Sequence, residues 1–274
     1  MTAAANILEQ LSPLFFPVAE ERVMVGNVQS SDHKAIVRPD TGEVLAIHGS
    51  GYNLTPNEAI LTQFVKALET SGLDLSGAVV QAQRSHAGAR MFAKVRLPAH
   101  QVDIGGGDLV DLQMSVINSY DGWTAFKSIF GGFRLLCSNG MVIDRKMWQG
   151  YGRHTQGLDI TASAQKLERV GSQYLETARV WEKWSRAPIT IDQMAEVIQA
   201  VTPVEKTRTL LEEQFRRETI ALDSTVWAGY NALTHWSTHT VSNRKDASNH
   251  AAAAQFQREE QVRKVLPMLY RIAA

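Results

Sequence analysis

In the first half of the chain, short apolar runs stand between glycine-rich turn signals. In the second half glycine is scarce, and Ala, Leu, Glu, Gln and Arg dominate. The change falls near Gly150. Short runs bounded by turns read as strands, and long stretches of helix formers read as helices. The pattern therefore predicts an α+β protein. Residues 1–150 should form a mixed, mainly antiparallel sheet with hairpins and a few helices, and residues 151–274 a helical region packed on that core.

A short apolar helix is expected over 6–14, stopped by Pro13 and Pro17, then a strand over 23–28. Runs at 34–37 and 44–48 flank Pro39-Asp40-Thr41-Gly42, a turn in which Pro presets φ and Gly accepts a positive one. Thr55-Pro56-Asn57-Glu58 has the form of a capping box opening a helix to about Thr70, with Ile60, Phe64, Val65 and Leu68 on one face. A second hairpin joins 78–84 to 90–97, and a strand follows over 109–118. Asp121-Gly122 reads as a tight turn, and Asn139-Gly140 as the corner between strands at 133–137 and 141–144. Helices are expected over 163–184, 191–200, 204–222, 226–239 and about 251–273, with a polar loop at 246–249 before the last.

Composition narrows the class. The 274 residues are 44% hydrophobic, enough for a sizeable core. Lys plus Arg equals Asp plus Glu at 28 each, so a general polyanion sponge is disfavoured while a local basic face remains open. One cysteine, Cys137, excludes an internal disulfide framework. The first residues lack the basic start of a signal peptide, and no apolar run nears the roughly 20 residues of a membrane span. A soluble protein of the reducing cytoplasm, with no membrane partner, is expected.

Most candidate chemistry is thin. Gly49-Ser50-Gly51 lacks the third glycine of a dinucleotide fingerprint, and Gly105-Gly106-Gly107 lacks the Lys-Ser/Thr of a P-loop. His235 and His239 stand one helical turn apart with His250 as a possible third ligand, but Trp236 occupies the place of a zinc-protease glutamate. Cys137 has no identifiable catalytic partner and suits a buried position. No catalytic residue, metal site or cofactor is assigned, and the balance leans against an enzyme.

The hairpin at 84–96 carries Arg84, Arg90, Lys94 and Arg96, with His86 between them and no acidic residue. Arg90, Lys94 and Arg96 share a parity, which places them on one sheet face. Tyr120, Trp123, Lys127 and Arg134 follow nearby. Basic groups track phosphates and exposed aromatic rings stack on unpaired bases, so these eight residues form a candidate single-stranded-DNA surface. The same residues also read as a solvated sheet face beside core aromatics. Trp181, Trp184, Trp227 and Trp236 read as core rather than interface.

Three blocks carry a resemblance: Asn118-Ser119-Tyr120-Asp121-Gly122, the run Gly131-Gly132-Phe133-Arg134-Leu135-Leu136-Cys137-Ser138-Asn139-Gly140-Met141, and Trp227-Ala228-Gly229-Tyr230-Asn231-Ala232-Leu233-Thr234. Tyr52 and Asn57-Glu58 fit as well. Over about 44–239 the chain resembles a family of phage- and plasmid-borne proteins catalogued as domain of unknown function nine hundred and thirty-two. The resemblance implies a phage or plasmid setting and carries over no catalytic residue. By fold-level analogy it suggests single-strand annealing proteins, which form rings or filaments around a basic groove. The expected function is thus a homo-oligomeric single-stranded-DNA-binding protein of a phage or plasmid, with strand annealing in recombination as its expected task. The alternative is a non-enzymatic interaction or structural protein that binds a host or phage protein.

Overall fold

The computed structural model describes residues 2–105, 107–135, 139–140, 149–152, 170–240 and 247–274. Cys137, the strand expected over 141–144 and the start of the helix expected at 163 lie outside them. Helix α1 (Ala3–Leu11) begins earlier than the pattern predicts, because the Thr2 side chain accepts from the Ala5 N–H at 3.2 Å and caps it. The expected continuation through Leu14 is a short 3-10 helix holding Pro13.

Strands β1 (Ala19–Val25), β2 (Val28–Arg38) and β3 (Glu43–Gly49) form one antiparallel sheet in that order. The hairpin around Gly42 is as expected, with Gly42 at φ +73°. The strand expected over 23–28 is broken in two: residues 23–25 close β1, Val28 opens β2, and the corner falls between them. Gly26-Asn27, with Gly26 at φ +59°, is a two-residue turn embedded in an apolar run.

Helix α2 (Asn57–Thr70) buries Ile60, Leu61, Phe64, Val65 and Leu68. Its cap differs from the expected box. Pro56 occupies the cap position, no side chain on the helix caps it, and the Asn57 N–H donates to the Tyr120 hydroxyl at 2.8 Å. A partner 63 residues away thus satisfies an amide that a capping box would have satisfied locally.

The larger sheet runs β4 (Val79–Ser85), β5 (Arg90–Asp103), β6 (Leu109–Ser119), β7 (Phe126–Arg134), β8 (Asn139–Gly140), with β9 (Gln149–Gly152) also paired to β7. All the described pairings are antiparallel. Asn139 and Gly140 pair with Arg134 and Phe133, so they are strand residues and not the corner expected of them. Asp121-Gly122 does form the β6–β7 turn, with Gly122 at φ +70°.

Among the described residues five helices follow: α3 (Val170–Trp184), α4 (Ile191–Val201), α5 (Glu205–Leu222), α6 (Val226–His239) and α7 (Ala247–Ile272). Residues 247–249, expected in a loop, are already helical. Thr190 and Gln193 make a true capping box on α4. Helix α6 is buried on all sides, including Asn231, Thr234 and Ser237, whose side chains bond carbonyls of their own helix.

This is an α+β fold in which one apolar cluster draws on both halves of the chain. It holds Ile7, Leu61, Met91, Val95 and Leu112 together with Val197, Leu211, Trp227 and Leu266. All four tryptophans of the helical half are buried, and Trp181 and Trp227 stand 5.9 Å apart. Among the described residues no helix is long and apolar enough to cross a membrane.

Candidate nucleic-acid interface

Register decides which side of the large sheet each cation faces. Arg90, Lys94 and Arg96 on β5 oppose Ser119, Ser115 and Gln113 on β6. Lys127 on β7 opposes Ile117, and Ser115 and Ile117 share their parity, so Lys127 joins the same face. This face lies opposite Met91, Val95 and Leu97, which enter the main core. Aromatic rings stand beside the cations. The Arg90 guanidinium lies 4.7 Å from the Trp123 ring, that of Arg96 4.7 Å from Phe133, and the Lys127 ammonium 4.6 Å from Phe256. A shallow cleft beside Lys94 and Arg96 is lined further by Val79, Gln81, Gln113 and Phe133.

Each of these four cations also has a carboxylate. Arg90 pairs with Asp121 at 2.7 Å, and Arg96 with Asp111 at 3.4 Å. Lys94 pairs with Glu259 at 3.4 Å, and Lys127 with Glu260 at 3.9 Å, both acids from α7. The acid-free hairpin of the sequence is therefore charge-compensated in three dimensions. Asp111 and Asp121 come from β6 and its turn, and Glu259 and Glu260 from more than 120 residues further on. Phe256, which also packs edge-on against Trp123 at 5.5 Å, was likewise not expected here. The only local hint in sequence is that 256, 259 and 260 share one helix face.

The other three sequence-derived candidates lie elsewhere. Arg84 opposes Met91, on the other face of the sheet; it is exposed and lies 5.7 Å from the Phe16 ring. Tyr120 is 1% exposed and caps α2, and burial pushes its hydroxyl far above the ordinary range. Arg134 is fully buried: Nε donates to Asp108 at 2.6 Å and NH1 to Glu218 at 3.1 Å, while the Trp227 indole donates to Asp108 at 2.7 Å. These bonds tie β7 to α5 and α6. Next to it, a side chain on Gly132 would stand 2.6 Å from Trp181, so the glycine lets that helix approach the sheet.

The Asn118–Gly122 block has a structural reading too. The Asn118 amide donates to Asn57 Oδ1 at 2.9 Å, the Ser119 hydroxyl to the Thr124 carbonyl at 2.7 Å, and Asp121 accepts from the Trp123 N–H at 3.0 Å. His86 and Ala87, at the tip between β4 and β5, hold φ of +54° and +57°, with the Ala87 carbonyl accepting from Arg38 at 3.0 Å. The two rings of His235 and His239 are adjacent, 4.6 Å apart. Among the described residues no group of three or more His, Cys, Asp or Glu side chains could hold a metal ion. Neither Gly49 nor Gly51 takes a positive φ.

Searches of curated proteins and of solved structures returned no match to the chain. A family model does match, over residues 44–259, from β3 into the middle of α7 and across the sheet, the buried Arg134 network and the cations described above. The chain belongs to the family described as Domain of unknown function (DUF932).

Proposed function

We propose that this chain binds single-stranded nucleic acid, as a strand-annealing protein of a phage or plasmid, without bond chemistry of its own. The observation that carries this reading is the alignment of Arg90, Lys94 and Arg96 of β5 and Lys127 of β7 on one face of the sheet, with β6 between the two strands, beside the rings of Trp123 and Phe133. Cations at strand spacing follow a phosphate backbone, and aromatic rings accept bases without regard to sequence. Arg84, Tyr120 and Arg134 drop out of the interface, since the first faces the other way and the other two are buried. A homo-oligomer in the cytoplasm is part of the same proposal.

The test is binding to fluorescent single- and double-stranded oligonucleotides across a salt series. Preference for the single strand, weakened by salt and lost in Arg90→Gln/Lys94→Gln/Arg96→Gln, is the expected result. No binding at low salt would overturn it, as would binding that the triple variant leaves unchanged while its thermal melt stays normal.

A second reading, a protein that binds a protein partner, is favoured by the smaller sheet. Its corner exposes Met24, Val25 and Val28 at 52%, 74% and 70%, and β3 exposes Val44 and Ile47. An exposed apolar corner such as Met24-Val25 with Val28 is a common mark of an interaction surface.

A further inference from the structure

We propose that the first half of helix α7 is a displaceable cover on the basic sheet face, its Glu259 and Glu260 holding the cations that a nucleic-acid backbone would otherwise take. This rests on the nucleic-acid reading above and adds how that surface is regulated.

Three residues of α7 meet the face. Glu259 faces Lys94 at 3.4 Å, Glu260 faces Lys127 at 3.9 Å, and Phe256 sits between Trp123 and the Lys127 ammonium. Their i, i+3, i+4 spacing puts two carboxylates and one aromatic ring on a single helix face. That set offers the cations and Trp123 what a strand offers: two anionic groups and a flat ring. All four charged partners are half-buried, between 12% and 17% exposed. A polyanion bound to Lys94 and Lys127 therefore competes with the two glutamates.

The helix is held unequally along its length. Val262, Val265, Leu266 and Leu269 belong to the main core. In the part over the sheet, Ala253 and Phe256 join a small separate cluster with Phe92 and Ile117. Polar ties join these contacts: Arg258 donates to the Ser237 and Thr240 carbonyls, each at 3.0 Å. Water can replace these bonds when the segment lifts, which it cannot do for the apolar contacts of the second half. A small cavity already separates α7 from the sheet, lined by Gln83, Phe92, Lys94, Ser115, Gln255 and Glu259 among others. Local opening begins where buried apolar contacts are fewest.

The experiment compares the full-length chain with Glu259→Gln/Glu260→Gln and with Phe256→Ala, by fluorescence anisotropy of a labelled oligo-dT at fixed low salt. Removing the two carboxylates, and with them the ion pairs to Lys94, Lys127 and Arg263, should tighten binding about tenfold. Phe256→Ala, which loosens the cover without altering charge, should also tighten it. Adding Lys94→Gln to the glutamine pair should reverse the gain. If the parent chain binds and neither cover variant binds more tightly, the cover is overturned and the nucleic-acid reading stands. If no variant binds, the nucleic-acid reading fails and the cover with it. Far-ultraviolet circular dichroism and a thermal melt establish that each variant is folded.

Discussion

Arg134 sits in a strand beside glycine and phenylalanine, as Arg96 sits between Val95 and Leu97, yet the two side chains have different fates. Arg134 is enclosed by Asp108 from the β5–β6 turn, Glu218 of α5 and the Trp227 indole of α6. Removing one partner of a buried ion network leaves the others desolvated and uncompensated. Arg134→Met should therefore destabilise the fold by about 3–5 kcal/mol, measured by urea denaturation, whereas Arg84→Met on the exposed surface should change it little. His235 gives a second residue-scale expectation. Burial above all, then the neighbouring His239 and Arg217, holds its imidazole below the ordinary value, with Glu218 pulling the other way. A histidine whose folded pKa is depressed contributes stability that is complete above the unfolded value, about 6.5, and is lost as pH falls through the folded value. The melting temperature should accordingly drop on acidification from pH ~7 to ~5, and His235→Gln should flatten that part of the profile.

At the scale of elements, ends proved harder to place than interiors. The hairpins at Gly42 and Gly122 are where the turn residues put them, because a positive φ is a local demand that only a few residues meet. The α2 cap is different. Thr55 and Glu58 have the right identities at the right spacing, but Pro56 takes the cap position and the free amide finds Tyr120, just past the end of β6. Nothing in residues 55–58 signals that partner. Tyr120→Phe keeps the ring and removes the acceptor, so it should destabilise the fold by about 1–2 kcal/mol, seen as a lower melting temperature, and leave oligonucleotide affinity unchanged. An equal loss of affinity would return Tyr120 to the interface. Asn139-Gly140 misled for a related reason: it is a strong turn pair, but here it pairs with Arg134 and Phe133 as strand.

At the scale of the whole molecule, charge is compensated across long distances. The face expected to be strongly basic is met by acids from β6, the β6–β7 turn and α7. Affinity for nucleic acid should then depend on how many cations are released to phosphates. Each of Arg90, Lys94, Arg96 and Lys127 that contacts a phosphate adds about one to the slope of log affinity against log salt, so single glutamine variants should each lower that slope by about one. A slope unmoved by all four would take the phosphate contacts away from this face.

Residue order alone determined the α+β class, the helical second half, the glycine turns and the common side of Arg90, Lys94 and Arg96. These follow from periodicity and backbone sterics, which act between neighbours in sequence. The tertiary structure decided which cations are buried, which acids meet them and what caps α2. Those outcomes depend on groups brought together from distant parts of the chain, as Glu259 is to Lys94 and Glu218 to Arg134. Desolvation and charge pairing are set by what surrounds a group in space, and no local pattern records it.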